Sequence, residues 1–139
     1  MINTILVEDD LYIQKHFTEC LSSDGEFNLV GVYRDAFEAE KNCDRTVRLI
    51  LMDVQMPVMN GREAARTIRR MKERPDATLI PIFALSADAF VEDERLSIES
   101  GMNGHYAKPV DFQALERNVG AFLENREQDR TWKKRNERK

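Results

Sequence analysis

Short apolar runs alternate with helical patterns along this chain, and the alternation limits the folds that it can adopt. Five runs have the length and the β-branched or apolar composition of strands, at residues 4–7, 29–33, 49–52, 80–85 and 105–107. Helical spacing of apolar residues, strong or weak, fills the segments between and after them, at 13–21, 36–43, 64–71, 88–100 and 115–122. This alternation predicts an α/β fold, a parallel sheet with helices on both faces.

Polar side chains follow four of the predicted strands at the point where each strand ends. Acidic residues 8–10 follow the first strand, Asp53 the third, Ser86 the fourth and Lys108 the fifth. Ligands of open α/β sheets bind outside the carboxyl ends of the strands. We therefore expect these side chains to meet at one edge of the sheet.

The acids at this edge predict a metal site. Glu8, Asp9 and Asp53 would repel one another if they were packed together, and a divalent cation offsets that repulsion. Oxygen ligands with room for water suit Mg²⁺, whereas the absence of His and Cys argues against zinc or copper. Asp10 is predicted instead to cap the following helix, as Asp111 caps the last one.

Two further groups at this edge suit phosphate chemistry. Lys108, held between a strand and a proline, supplies a second positive charge, and the Ser86 hydroxyl can donate a hydrogen bond to a phosphate oxygen. Together with Mg²⁺ and a nucleophilic carboxylate, they are the parts needed for phosphoryl transfer onto Asp53.

Charge and cysteine content exclude other classes of protein. The last sixteen residues contain seven Lys or Arg and four Asp or Glu, so residues 1–123 have a net charge of −7, although the whole chain has −4. This acidic body argues against direct nucleic-acid binding.

No apolar run approaches the roughly 18 residues that a membrane span needs, and no signal-peptide pattern opens the chain. Cys20 and Cys43 lack metal-ligand spacing and indicate reduced thiols in a cytoplasmic protein.

Four motifs in order, "ILVEDD", "LILMDVQMPVMNG", "FALSADAF" and "GMNGHYAKPVD", resemble the receiver domain of two-component response regulators. The resemblance covers residues 1–124. It implies a flavodoxin-like, doubly wound, five-stranded parallel sheet in the order 2-1-3-4-5 with five helices. Residues 125–139 form a charged tail, expected either to extend the last helix or to be disordered.

The resemblance also implies a role for each matching position. Asp53 is the phospho-acceptor. The site for Mg²⁺ or Mn²⁺ consists of three carboxylates and one backbone carbonyl, from Glu8, Asp9, Asp53 and Gln55. The phosphate-binding and switch side chains are Ser86, Lys108 and His105.

Further positions shape the site or set the lifetime of the phosphorylated state. Pro57 fixes φ, and Gly61 tolerates unusual φ, in the turn after the acceptor. Pro109 follows the lysine. Gln55 and Asp88 stand two residues past Asp53 and Ser86, where the family tunes the survival of the acyl phosphate.

His105 departs from the family pattern, which often has Tyr or Phe at this position. Tyr106 is its neighbour, but strand alternation places neighbouring side chains on opposite faces. We therefore predict that His105, and not Tyr106, reorients when Ser86 engages the phosphate.

The predicted function is that of a phospho-accepting receiver in a two-component phosphorelay, and not of a turnover enzyme. A histidine kinase or histidine phosphotransfer domain would supply the phosphoryl group. The helix 4, strand 5 and helix 5 face would bind a downstream protein, and a phosphorylation-linked dimer is left open. A stand-alone protein and an excised domain both fit the sequence. Trp132, the only tryptophan, lies in the charged tail and has no assigned role.

Three alternatives fit the residues less well. A haloacid dehalogenase-type hydrolase needs a second acid where Gln55 stands, and a chain of this length leaves no room for a substrate cap. A flavodoxin-like carrier needs a hydroxyl- or glycine-rich loop where "EDD" would repel the FMN phosphate. A phosphorylation-independent binding module would not need the complete set of site side chains.

Overall fold

The computed structural model describes residues 2–24, 27–43, 46–54, 60–71, 76–87, 91–108 and 110–137, with backbone only for 22–24, 36 and 126–137. The strands are β1 (Ile2–Val7), β2 (Phe27–Tyr33), β3 (Leu49–Asp53), β4 (Ile82–Ser86) and β5 (Gly104–Ala107). The helices are α1 (Leu11–Asp24), α2 (Ala36–Asn42), α3 (Gly61–Arg69), α4 (Val91–Glu99) and α5 (Phe112–Glu137).

All neighbouring strands pair in parallel, in the order β2-β1-β3-β4-β5. The predicted α/β class and the order 2-1-3-4-5 are therefore confirmed. The strand order reverses between β1 and β3, which pair with Val7 opposite Met52. Sites in such sheets form at this point, so the topology places the acids after β1 beside Asp53.

The central strand β3 is buried along its whole length and separates two apolar layers. Ile50 and Met52 pack with residues of α2 and α3 on one face. Leu49 and Leu51 pack with residues of α1 and α5 on the other. Helices cover both faces of the sheet here, so residues 49–52 are all apolar. Their packing holds Asp53, the last residue of the strand, in a fixed position at the edge of the sheet.

One predicted strand starts two residues late. The apolar run at 80–85 predicts a strand from Ile80, but β4 begins at Ile82. Pro81 has no backbone N–H with which to join the ladder, although its carbonyl accepts a hydrogen bond from the Ile50 N–H at 2.9 Å. At its other end, β4 extends to Ser86, one residue beyond the run.

The two helix caps that the sequence predicts are confirmed. Asp10 Oδ1 accepts hydrogen bonds from the backbone N–H groups of Tyr12 and Ile13, at 2.9 and 3.2 Å. Asp111 Oδ1 accepts two from the start of α5, both at 3.1 Å. Both caps are local contacts, which is why the sequence predicts them. Gly101 follows α4 with a φ of 103°, a conformation that favours glycine.

The backbone of α5 continues as a helix through most of the charged tail, to Glu137. Among the described residues, no helix combines the length and the apolar character required to cross a membrane.

Candidate functional site

Three carboxylates meet where the strand order reverses. Glu8 and Asp9 come directly after β1, and Asp53 is the last residue of β3. One oxygen from each of the three lies within 4.8 Å of the others. Glu8 and Asp53 are only 1% and 3% exposed, whereas Asp9 is half-buried. The convergence predicted at the edge of the sheet is therefore present.

The three oxygens fit a hard divalent cation. At Mg–O distances of about 2.1 Å, two ligands of one ion lie at most about 4.2 Å apart, so small side-chain adjustments would bring them into range. The half-buried position of Asp9 leaves room on one side for water or phosphate oxygens. The set contains only oxygen donors, which favours Mg²⁺ or Mn²⁺ over zinc or copper.

Lys108 reaches into this cluster from the end of β5. Its Nζ lies 2.9 Å from Glu8 Oε2 and 3.4 Å from Asp53 Oδ1. Its backbone N–H donates to the Ser86 carbonyl at 2.7 Å, which anchors the start of its side chain. One ammonium group therefore bridges two buried carboxylates, and its closer partner is Glu8.

The cluster perturbs the ionisation of both partners. Burial raises the pKa of Glu8 to about 7, the hydrogen bond from Lys108 opposes this rise, and the charge of Asp53 adds to it. Burial acts to lower the pKa of Lys108, but the hydrogen bond to Glu8 and the charge of Asp53 outweigh burial and raise it. The single positive charge of Lys108 therefore does not fully offset the negative charges of the buried acids. A bound cation would stabilise the cluster further.

Ser86 and His105 lie on strands next to the cluster. Ser86 ends β4 and is buried, one position beyond the residue that pairs with Asp53. His105 lies on the α4 side of β5, where its Nδ1 is 3.2 Å from Ser97 Oγ. Tyr106 packs on the other face, against Phe83. The two neighbours thus face opposite sides, as strand alternation predicts, and the switch role of His105 stays a prediction.

Gly61 approaches the backbone of Asp53. Its N–H donates to the Val54 carbonyl at 2.9 Å, and a Cβ on Gly61 would lie 2.4 Å from the Asp53 carbonyl oxygen. The interpretation that Gly61 supplies an unusual φ is wrong, because Gly101 is the one described glycine with positive φ. Gly61 is needed because there is no space for a side chain.

We expect Gly61→Ala to destabilise the protein by about 1–3 kcal/mol, because the new methyl group would displace the Asp53 backbone. Urea unfolding at low protein concentration measures the change. Gly120→Ala is the matched control, since a Cβ on Gly120 would meet no described atom within 4 Å. Equal effects of the two substitutions would contradict the steric explanation.

Two arginines of α3 make contacts that had no signal in the sequence, Arg62 at the site end of the sheet and Arg69 at the opposite end. Arg62 Nη2, at the start of α3, donates to the Asp93 carbonyl of α4 at 3.2 Å and lies 3.6 Å from Asp93 Oδ1. Arg69 donates to the Gly101 and Ala77 carbonyls and to Asn103 Oδ1. Three of these four partners lie more than thirty residues away in the chain. Only the packing of the helices brings them together.

Some predicted site residues lie outside the described part of the chain. These are Gln55, Pro57, Asp88 and Pro109. Their assigned roles therefore stay predictions.

Comparison with known proteins identifies relatives along nearly the whole chain. The family model for the response regulator receiver domain matches residues 4–120. Hybrid signal transduction histidine kinase M of Dictyostelium discoideum is 32% identical over 133 residues, 89% of this chain and 5% of that protein. Sensor histidine kinase GacS of Pseudomonas protegens is 39% identical over 67 residues, 48% of this chain and 7% of that protein. The chain thus spans a small fraction of these relatives.

Solved structures share the fold. The receiver domain of the Francisella response regulator 1452 superposes with a TM-score of 0.76 at 20% identity, covering 90% of this chain and 98% of that one. The receiver domain of Ssk1 from Saccharomyces cerevisiae, co-crystallised with the histidine phosphotransfer protein Ypd1, gives a TM-score of 0.70 at 29% identity. That match covers 85% of this chain and 86% of that one.

Proposed function

Because the chain belongs to the response regulator receiver domain family of two-component signalling, we propose that Asp53 accepts a phosphoryl group from a phosphohistidine of a partner protein. The observation that carries this proposal is the buried carboxylate cluster of Glu8, Asp9 and Asp53 with Lys108 at its edge. A buried acid next to one lysine and two further acids is costly for stability, and phosphoryl transfer gives that arrangement a purpose.

The transfer uses the side chains in distinct roles. A carboxylate oxygen of Asp53 forms a bond to phosphorus while the P–N bond of the donor breaks, and the bonding electrons return to the imidazole nitrogen. Lys108 lies 3.4 Å from Asp53 Oδ1, close enough to neutralise charge on the incoming group. Held by Glu8, Asp9 and Asp53, Mg²⁺ would supply positive charge next to the phosphoryl oxygens.

The readout is a change in the helix 4, strand 5 and helix 5 face. Ser86 reaches towards the phosphate, and His105 responds by leaving or tightening its contact with Ser97 on α4. The new surface then binds a downstream protein, so the chain acts as a signalling phospho-acceptor and not as a turnover enzyme. The donor is a histidine kinase or a histidine phosphotransfer domain, as the structural likeness to the Ssk1 receiver in its complex with Ypd1 favours.

The test uses a phosphorylated histidine phosphotransfer domain as the donor. With Mg²⁺, intact-mass measurement is expected to find one phosphoryl group per chain, and chelation with EDTA is expected to prevent transfer. Asp9→Asn is expected to raise the Mg²⁺ concentration needed for half-maximal transfer, whereas Asp10→Asn, which retains a helix-capping side chain, serves as the control.

Three results would contradict the proposal. Equal phosphoryl transfer with and without EDTA would mean that the reaction does not require the metal. Turnover of small phosphomonoesters without a stable labelled state would favour a hydrolase. No labelling by any phosphohistidine or small phosphodonor, with partner binding intact, would favour a phosphorylation-independent module.

A further inference from the structure

The chain leaves the sheet between Glu8 and Asp9, inside the carboxylate cluster. The Glu8 N–H still continues the sheet, since it donates to the Tyr33 carbonyl at the end of β2, at 2.9 Å. The Glu8 carbonyl lies beyond the last paired residue of β1, and it accepts a hydrogen bond from the side-chain amide of Gln14 on α1. A side chain six positions along the chain therefore takes over where the ladder ends.

This hydrogen bond restrains a whole peptide unit. The Glu8 carbonyl and the Asp9 N–H belong to one plane, so the direction of the carbonyl sets the direction in which the Asp9 Cα continues. Lys108 holds the carboxylates of Glu8 and Asp53. In contrast, no residue in the described part of the chain donates a hydrogen bond to the carboxylate of Asp9 or forms an ion pair with it. The orientation of the peptide is thus what places the third carboxylate of the cluster.

Gln14 is itself held by the first turns of α1. Its backbone N–H donates to the Asp10 carbonyl at 2.9 Å, and its carbonyl accepts from Thr18 Oγ1 at 2.7 Å. Helical side chains lean towards the N-terminus of their helix, which directs this half-buried glutamine back to the end of β1. A neutral amide also suits the position, because it donates a hydrogen bond without adding a positive charge that would repel a cation.

We propose that Gln14 is a positioning residue for the cation site. By fixing the peptide between Glu8 and Asp9, it holds Asp9 where the three carboxylates can share one cation. Gln14 is not itself a ligand and acts through Asp9. The inference rests on the cation site of the proposed function, and not on the phosphoryl transfer. Residues that orient the ligands of a metal typically contribute about 10- to 100-fold to its affinity.

Mg²⁺ titration of the unphosphorylated protein tests this role without any phosphoryl donor. The amide resonances of residues 8–10 in two-dimensional NMR report the affinity of the site directly. Gln14→Met keeps the length and the helix propensity of the side chain but removes the donor. It is expected to raise the dissociation constant for Mg²⁺ about tenfold. Gln113→Met, the same substitution at an exposed position near the start of α5, is the control and is expected to bind Mg²⁺ like wild type.

A double-mutant cycle with Asp9→Asn separates positioning from a general effect on the fold. Because Gln14 acts through Asp9, Gln14→Met is expected to change the Mg²⁺ affinity by less than about twofold when Asp9 is already replaced. Urea unfolding of the same variants provides the second measurement. A merely structural role of Gln14 would lower the stability of the chain and leave the dissociation constant for Mg²⁺ unchanged.

Three results would overturn the inference. They are a Gln14→Met chain that binds Mg²⁺ like wild type, a loss of affinity that persists in full in the Asp9→Asn background, and a wild type that binds no Mg²⁺. The first two would leave the proposed function intact, whereas the third would also remove the metal from it. Failure of phosphoryl transfer with normal Mg²⁺ binding would count against the proposed function alone.

Discussion

Asp53→Asn is expected to reduce phosphoryl incorporation by on the order of a thousandfold or more, to the detection limit of intact-mass measurement. The amide is nearly isosteric with the carboxylate, but its oxygen is neutral and a poor nucleophile. The variant also loses the charge that Lys108 faces at 3.4 Å. Removing one of three clustered acids lessens their repulsion, so we expect the variant to fold, and circular dichroism checks this.

The matched control for this substitution is Asp10→Asn. Asp10 lies beside the cluster in sequence, but its Oδ1 caps α1. Asparagine is also a good N-cap residue, so labelling of this variant is expected to equal that of wild type. Equal labelling of wild type and Asp53→Asn, with the same donor and Mg²⁺, would refute the assignment of the acceptor.

Glu8→Gln is expected to stabilise the cation-free protein above pH 7 by roughly 3 kcal/mol. Burial raises the pKa of Glu8 to about 7, from an ordinary value of 4.5. Between these two values, the native state holds a proton that the unfolded state has released. The free energy of unfolding of wild type should therefore fall as pH rises from about 4.5 to 7. The stability that comes from the extra proton on native Glu8 is fully lost above pH 7.

The glutamine variant removes this slope, because it cannot ionise. Urea unfolding from pH 4.5 to 8 in EDTA measures the difference, and Glu94→Gln, an exposed acid on α4, is the control. The two proteins are expected to be similar at pH 4.5 and to diverge as pH rises. A glutamine variant that is less stable than wild type at pH 8 would mean that the hydrogen bond between Lys108 and Glu8 outweighs the cost of burial.

Added Mg²⁺ should narrow the difference in stability between the two proteins. A ligand that binds only the native state stabilises it in proportion to the logarithm of its concentration over its dissociation constant. Wild type retains all three carboxylates and should gain more stability from millimolar Mg²⁺ than Glu8→Gln does. Equal gains would mean that Glu8 contributes nothing to cation binding.

Much of the fold and the position of the site follow from local patterns. The alternation of apolar runs with helical spacings predicts five parallel strands and five helices, and the structure has them. The resemblance to receiver domains, and not the alternation, implied the observed sheet order. Two helix caps, Asp10 and Asp111, are also predicted, because a cap involves residues only two or three positions apart. The start of β4 was misplaced, since apolar composition outweighed the missing N–H of Pro81.

The sequence by itself determined which acids, which hydroxyl and which lysine follow the strands, and therefore what chemistry the edge of the sheet can support. Only the tertiary structure decided which of these groups touch. Lys108 pairs more closely with Glu8, across one hundred residues of chain, than with Asp53. Gly61 is required by contact with the backbone of Asp53, and Arg62 joins two helices. The periodicity of apolar residues indicates which side of each helix or strand faces the core and which faces water. Contacts between residues that are distant in the chain depend on how whole helices and strands pack, which no local pattern encodes.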